Sequence, residues 1–334
     1  MWLRTGVAVE IALKVDVDTH QGLGVGVPRL AKMLAAENVT ASFFIAMGPD
    51  NSGRAILRVL RNPGFLKKMR RTRAVSMYGL RTVLSGTILP SRPIALAYPQ
   101  IVRELLDARF EVGVHGYDHV RWQDGIDTLG DGGIRAEIDE AFEVYRAIIG
   151  ESARSFAAPG WRTCPAALKI LDAMRLDYRS DTRGTAPYRS ALDGEILNAP
   201  EIPTTLPTMD EVMGSPDLAD DDALVRFYVD RMTAGALNVH TIHAETEGMG
   251  HLARFTSLVW ALKERGVRFV RLCDVAARLT ASELPIRDVN RIKSFGCSCQ
   301  REAEVVRCGA VESPLDSKPG SNIAFADYLM LVRV

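Results

Sequence analysis

The chain has 334 residues, 41 basic against 41 acidic side chains, and 47% hydrophobic residues. These values are ordinary for a globular protein, and they exclude disorder, collagen and a disulfide-stapled miniprotein for the bulk of the chain. As a sum, the zero net charge also argues against a protein that binds nucleic acid or a membrane surface.

Strand-like and helix-like runs alternate from about residue 11 to residue 280. Strands are predicted at residues 11–17, 41–47, 111–114, 155–158, 176–180, 237–243 and 267–272. Helices are predicted at residues 27–37, 99–110, 134–149, 165–174, 219–234, 251–265 and 274–279. This alternation, with no break in composition, predicts one α/β domain built on a parallel sheet, barrel-like or wound. After about residue 285 the pattern dissolves, and residues 287–334 are predicted to form a mobile tail.

The charges are unevenly distributed along the chain. Eleven basic residues and no acidic one lie between Asp50 and Glu104, after the second predicted strand. Aliphatic side chains interleave with them, which is typical of an amphipathic element at an anionic membrane surface; the alternative is a solvated face over an ordinary helical core. The scarcity of stacking aromatic residues disfavours nucleic acid. The predicted lipid contacts are Arg54, Arg58, Lys67, Lys68, Arg70 and Arg71.

The cysteines and the N-terminal residues bear on the compartment. Five cysteines, with no paired framework, indicate a reducing environment. Cys297, Cys299 and Cys308 lack a zinc-ribbon spacing. The first residues are broken by Glu10 and Lys14 and indicate a lead-in to a strand rather than a signal peptide, and no window is apolar enough to span a membrane. We expect a cytoplasmic protein, with peripheral membrane attachment left open.

Two acidic and two histidine side chains follow predicted strands. Asp16 and Asp18 are two residues apart, so they share one face at the end of the first strand. His115 and His119 begin at the end of the third strand, and their spacing allows both rings to reach one ion. The alternatives are a solvated strand end and two unrelated surface histidines. Together they predict an Asp-His-His metal site that leaves positions open for water and substrate.

Later segments add candidates on the same rim. Thr241, His243 and Glu245 share a face by period two, and a histidine there suits general acid or base catalysis; a hydrogen-bonded structural histidine is the alternative. His240 faces the other way, as a packed core residue would. Just past the fourth predicted strand, Trp161 is either a sugar platform or a core residue. Arg162, beside it, either orients a carboxylate or is solvated.

These motifs resemble a known family. The patterns D-x-D, H-x-x-x-H, P-G-W-R and T-I-H occur in the order found in polysaccharide deacetylases, the NodB-homology or carbohydrate esterase 4 family. The stretches VDVDT, GVPRL, FFIAMGPDNSGR, GFLKKM, YRSDTRG and IPTTLPTMDEV are similar to the deformylase subgroup that acts on undecaprenyl-phosphate-linked 4-deoxy-4-formamido-L-arabinose. The resemblance covers about residues 11–286 and does not extend to the last 45 or so residues.

The resemblance implies a fold and a set of roles. The fold would be a distorted (β/α) barrel, here of seven strands over residues 10–286, with a basic amphipathic insertion at about residues 50–95. Asp18, His115 and His119 would hold a divalent ion of zinc, manganese, cobalt or nickel. Four side chains would serve catalysis, as general base (Asp16), general acid (His243), support for the base (Arg162) and support for the acid (Asp181). Trp161 and Glu245 would contact substrate.

The implied activity is metal-dependent deformylation of the lipid-linked sugar, in lipid A modification and resistance to polymyxin and other cationic peptides. The partners would be that polyprenyl-phosphate sugar and an anionic membrane surface, at the cytoplasmic face of the bacterial inner membrane; no nucleic acid and no protein partner are predicted. Two alternatives remain. One is an N-deacetylase of polysaccharide or peptidoglycan, and the other is a degenerate barrel acting as an adaptor, which the complete set of five acidic and histidine residues disfavours.

Overall fold

A curled sheet of seven parallel strands forms the centre of the molecule. The computed structural model describes residues 8–54, 85–87 and 89–289. The strands are β1 (Glu10–Val17), β2 (Ser42–Ile45), β3 (Pro49–Asp50), β4 (Arg92–Pro93), β5 (Glu111–Val114), β6 (Ser155–Phe156), β7 (Tyr178–Arg179), β8 (Arg189–Leu192), β9 (Glu195–Ile196), β10 (Leu237–His243), β11 (Arg268–Val270) and β12 (Ile286–Asp288). The central sheet has the order β10-β1-β2-β5-β6-β7, and β11 pairs with the first half of β1. The predicted distorted (β/α) barrel with seven strands is therefore confirmed, and its sheet is curled but not closed.

Helices cover the outside of the curled sheet. They are α1 (Val27–Ala36), α2 (Pro99–Asp107), α3 (His119–Gly125), α4 (Gly130–Ile149), α5 (Pro165–Ala173), α6 (Met209–Val212), α7 (Asp221–Arg231), α8 (Leu252–Glu264) and α9 (Leu272–Ala276). Apolar side chains at three- and four-residue spacing face the sheet, as Ile134, Ile138 and Ala141 do on α4. In the part of the chain that the structure describes, no helix is both long and apolar enough to cross a bilayer.

Strand β1 has two buried faces of different character. Leu13, Val15 and Val17 pack outward into the main hydrophobic core against the helices. The alternate residues face the inside of the barrel, where Ala12 joins a second apolar cluster. The charged Lys14 and Asp16 lie on this inner face and are also buried. The inside of the barrel therefore becomes polar towards the carboxyl end of β1.

All fourteen predicted elements correspond to observed ones, with ends displaced by four residues at most. A three-stranded sheet of order β12-β8-β9 was not predicted from the sequence. Its hairpin turns at Asp193 and Gly194, which have φ of 54° and 85°, a turn signal present in the sequence. Strand β12 lies beyond the point where we predicted that regular structure ends.

The root of the predicted insertion is a short antiparallel ribbon. Pro49 and Asp50 of β3 pair with Pro93 and Arg92 of β4, so the chain leaves and rejoins the barrel at one place. Of the predicted lipid contacts, Arg54 is exposed and its Nε donates to the carbonyl of Gly86. The other five, Arg58, Lys67, Lys68, Arg70 and Arg71, lie outside the described residues, as do residues 290–334 with Cys297, Cys299 and Cys308.

Candidate active site

Three predicted metal ligands converge at the carboxyl ends of β1 and β5. One ligand atom from each of Asp18, His115 and His119 lies within 4.8 Å of the others. Nε2 of His115 is 3.3 Å from Asp18 Oδ1, and Nε2 of His119 is 3.5 Å from Asp18 Oδ2. Both rings are buried. A carboxylate and two imidazoles form a donor set that suits a divalent transition ion and leaves coordination positions open.

Neighbouring groups orient the two histidines. Nδ1 of His115 contacts the carbonyl of Ala157 at 2.8 Å, which directs Nε2 towards Asp18. His119 is the first residue of α3, and the preceding Asp118 caps that helix by accepting from the amide of Arg121 at 3.0 Å. Burial lowers the pKa of His119 against the opposing effect of Asp18. This favours the neutral ring, whose lone pair can bind a metal.

Asp16 lies beside this triad. Its Oδ2 accepts from Lys14 Nζ at 2.9 Å and lies 3.8 Å from His115 Nε2. Its Oδ1 is buried and has no hydrogen-bond partner among the described residues. Oδ2 of Asp16 therefore accepts a hydrogen bond from the Lys14 ammonium group, while Oδ1 is available as a proton acceptor.

His243 ends β10 directly beside Asp16, because the two residues are paired in the register of β10 with β1. Its Nδ1 lies 3.4 Å from Asp210 Oδ1, and its backbone amide donates to Glu247 Oε2 at 2.9 Å. Burial disfavours a charged ring, but Asp210, together with Asp18 and Asp16, raises the pKa of His243 well above its usual value. This favours the protonated imidazole on the residue that is the register neighbour of Asp16.

Trp161 lies at the mouth of the barrel between several charged groups. It has φ of 52° and follows Gly160 with φ of 60°, a left-handed pair that turns the indole inward. Its edge meets His243 at 6.5 Å between ring centroids, and its Nε1 donates to Thr204 Oγ1 at 3.0 Å. The guanidinium of Arg183 stacks on it at 4.5 Å. The position fits a wall of a sugar-binding pocket.

Glu245 lies beneath the metal ligands. Its Oε1 accepts from the amides of Asp18 and Thr19, at 3.0 and 2.8 Å, and from Thr19 Oγ1. Burial and the neighbouring Asp18 raise the pKa of Glu245 to about 8. These contacts differ from the predicted substrate contact, because the strand ends at His243 and the backbone at Glu245 is already helical, with φ of −68° and ψ of −32°.

Arg162 and Asp181 have other partners than those predicted. The guanidinium of Arg162 donates to the carbonyl of Gln123 and forms an ion pair with Asp127, rather than reaching Asp16. Asp181 forms an ion pair with Arg179, which precedes it by two residues and lies on the same face of the chain. The distance from Arg179 Nη1 to Asp181 Oδ2 is 3.1 Å. Burial and the neighbouring Glu201 raise the pKa of Asp181 to about 7.

Lys14 and Asp210, which face the two predicted acid–base residues, were not predicted from the sequence. Lys14 pairs with Asp16, and period two on β1 places both on one face, so that signal was available. Asp210 faces His243 from α6, a helix of four residues. A capping box formed by Thr208 and Glu211 fixes this helix start and was visible in the sequence, but nothing local indicates that it meets β10.

Comparisons with known proteins identify a family and named relatives that this chain is similar to. The family model described as polysaccharide deacetylase matches residues 10–178. A Shewanella sediminis protein named as a 4-deoxy-4-formamido-L-arabinose-phosphoundecaprenol deformylase is 36% identical over 266 residues, which are 80% of this chain and 85% of the relative. A Wigglesworthia glossinidia brevipalpis protein with the same name is 31% identical over 272 residues, covering 80% and 93% of the two chains.

Solved structures share the fold at low sequence identity. A Mycobacterium smegmatis crystal structure assigned to the polysaccharide deacetylases has a TM-score of 0.60 and 18% identity, and the match covers 87% of this chain and 96% of that one. A Pseudomonas aeruginosa structure with the same assignment has a TM-score of 0.54 and 16% identity, covering 80% and 90%. These matches extend the barrel assignment beyond the residues of the family model.

Proposed function

Since the chain belongs to the polysaccharide deacetylase family and is therefore a hydrolase of amide bonds, we propose that it deformylates undecaprenyl-phosphate-linked 4-deoxy-4-formamido-L-arabinose. The observation that carries this proposal is one rim that holds Asp16, Asp18, His115, His119 and His243, in a chain for which two of the similar proteins bear this name. The products would be formate and a free 4-amino sugar.

Asp18, His115 and His119 would hold a divalent ion. When bound, such an ion supplies a Lewis acid for the formyl oxygen and lowers the pKa of a water molecule. The buried donors and their spacing fit this role, since the carboxylate brings charge and the imidazoles bring neutral lone pairs. We expect zinc, manganese, cobalt or nickel at this place.

The proton transfers would run between two side chains. Asp16 would take the proton of the attacking water on Oδ1 as oxygen adds to the formyl carbon. His243, held protonated beside Asp210, would then donate its proton to the departing nitrogen as the C–N bond breaks. Trp161 would form one wall of the sugar site. Arg162, Asp181 and Glu245 would act indirectly, by holding neighbouring parts of the site in place. Their partners are Asp127, Arg179 and the backbone amide of Asp18, respectively.

The proposed setting is the cytoplasmic face of the inner membrane, in the modification of lipid A that confers resistance to polymyxin. Converting a neutral formamide into an ammonium group adds positive charge, which suits masking of an anionic surface. A lipid carrier and the basic segment from Arg54 to Arg71 support peripheral attachment. Flotation with anionic and neutral vesicles tests it, using a variant with Lys67, Lys68, Arg70 and Arg71 changed to Glu; binding of that variant equal to the wild type would contradict the attachment proposal.

The substrate is tested with matched formyl and acetyl sugars on polyprenyl phosphate. We expect release of formate from the first and little acetate from the second, whereas preference for the acetyl sugar would favour the N-deacetylase alternative. Asp18→Asn should lose bound metal and formate release together. The same change at exposed Asp107 is the matched control and should retain both. Full activity of Asp18→Asn would contradict the metal site.

A further inference from the structure

Lys14 is a lysine buried inside the barrel. It has no exposed surface, and it lies in register with Ser42 of β2 on one side and Thr241 of β10 on the other. A lysine is almost never fully buried unless it is paired, because removing an ammonium group from water is costly. An ion-pair partner is therefore needed to explain why the Lys14 side chain can be buried at this position of β1.

The partner of Lys14 is the carboxylate that we propose as general base. Nζ of Lys14 lies 2.9 Å from Asp16 Oδ2, and the Asp16 side chain is only 4% exposed. The other oxygen, Oδ1, has no hydrogen-bond partner among the residues the structure describes. The ion pair thus divides the carboxylate into an anchored oxygen and a free one, which fixes the rotation of the group.

Aromatic rings close the surroundings of the ammonium group. Nζ lies 5.5 Å from the centroid of the Trp161 ring and 5.8 Å from that of Phe44. Both distances are within the range of cation–π contacts, so the rings stabilise the charge while excluding water. Arg162, which the sequence predicted for this role, is held by Gln123 and Asp127.

We propose that Lys14 is the positioning residue for Asp16, holding Oδ2 so that Oδ1 remains free to accept the proton of the attacking water. This inference rests on the proposed role of Asp16 as general base. Lys14 touches neither water nor substrate in this scheme and acts through the carboxylate alone.

The test compares Lys14→Met, which keeps the length but removes the charge, with Lys14→Arg, which keeps the charge. Lys169→Met is the matched control, because Lys169 forms an exposed ion pair with Asp193. In the full-length, metal-loaded protein, we expect Lys14→Met to lower kcat by about 100-fold, with KM and bound metal little changed, since a general base contributes about 10²–10⁴-fold. Lys14→Arg should retain clearly more activity, and Lys169→Met should match the wild type.

Thermal unfolding gives a second readout that needs no turnover. Lys14→Met should lower Tm more in the wild-type background than in Asp16→Asn, since only the first leaves a charged carboxylate unpaired. An unchanged kcat, or an equal Tm loss in the two backgrounds, would overturn the proposal; where Lys14→Arg fails to fold, these two measurements decide. If the wild-type protein releases no formate, the proposed function fails, while the Tm comparison still tests the pairing.

Discussion

The contact between His243 and Asp210 predicts a specific change in the pH dependence of the reaction. Asp210→Asn keeps the size and a hydrogen-bonding oxygen but removes the negative charge 3.4 Å from His243 Nδ1. Both side chains are mostly buried, with 14% and 18% of their surface exposed. The substitution therefore isolates the charge that raises the pKa of His243.

The size of the effect follows from the distance. At 3.4 Å and an effective dielectric constant of about 20, Coulomb's law gives about 5 kcal/mol, an upper bound of about 3.5 pKa units. Solvent and the Asn dipole reduce this, and opposite charges at such distances commonly shift a pKa by about 1–3 units. We therefore expect the pKa of His243 to fall in Asp210→Asn, because the largest contribution that raises it is removed.

The sign is set by the proposed role of His243 as an acid. Activity that needs the protonated ring is present below its pKa and is lost as pH rises through it. The basic limb of the kcat profile should therefore move to lower pH, with most activity retained on the acidic side of the new limb. Formate release measured from pH 5 to pH 10 checks this, with Asp107→Asn as the control. A basic limb at the wild-type position would refute the assignment of His243 as an acid supported by Asp210.

Three further predictions concern the surroundings of the site. Gly22→Ala places a Cβ 1.9 Å from Glu245 Oε1, so we expect loss of bound metal and a destabilisation of about 2 kcal/mol or more. The control is Gly132→Ala, at an exposed helical glycine with nothing within 4 Å, which should raise the free energy of unfolding by about 0.5–1 kcal/mol. Equal effects of the two substitutions in denaturant unfolding would contradict this prediction. Burial and Asp210 raise the pKa of Glu247 to about 8. The stability that this group contributes is therefore lost as pH rises from the pKa of Glu247 in the unfolded chain towards 8. Glu247→Gln should flatten the fall of Tm over that interval, and an unaltered slope would show that the group does not contribute. Trp122→Phe removes the donor that bonds the carbonyl of Arg162 at 2.8 Å and should cost about 1–3 kcal/mol in urea unfolding, while a neutral result would mean that water replaces the bond.

Local patterning was sufficient for most of the barrel. The seven central strands are hydrophobic runs between amphipathic helices, so their parallel pairing follows from the sequence, whereas their order does not. Period two on β1 and β10 also placed Asp16 and His243 on the inner face. These predictions succeed because the two-residue alternation of side chains along a strand is sufficient to make them.

The remaining contacts of the site depend on positions where the backbone departs from regular strand geometry. Glu245 follows His243 by two residues, but the turn after β10 directs its carboxylate to Asp18. The left-handed Gly160 and Trp161 similarly precede Arg162, whose guanidinium meets Asp127. The dipeptide Pro159-Gly160 marks a turn in the sequence, but no local signal indicates the partner, which in each case comes from a distant part of the chain.

The pairing of β1 with β10 and β11 has a consequence for how the protein is made. Asp18 and the carboxylate that holds its backbone are 227 residues apart, and β1 also pairs with residues 268–270. During synthesis the first strand, with its two buried charges, leaves the ribosome long before these partners exist. Non-local pairing of this kind slows folding and leaves a buried strand exposed. The proposed hydrolytic site can assemble only when nearly the whole barrel has been translated, so shortened chains that lack β10 carry the proposed metal ligands but not the proposed acid–base pair.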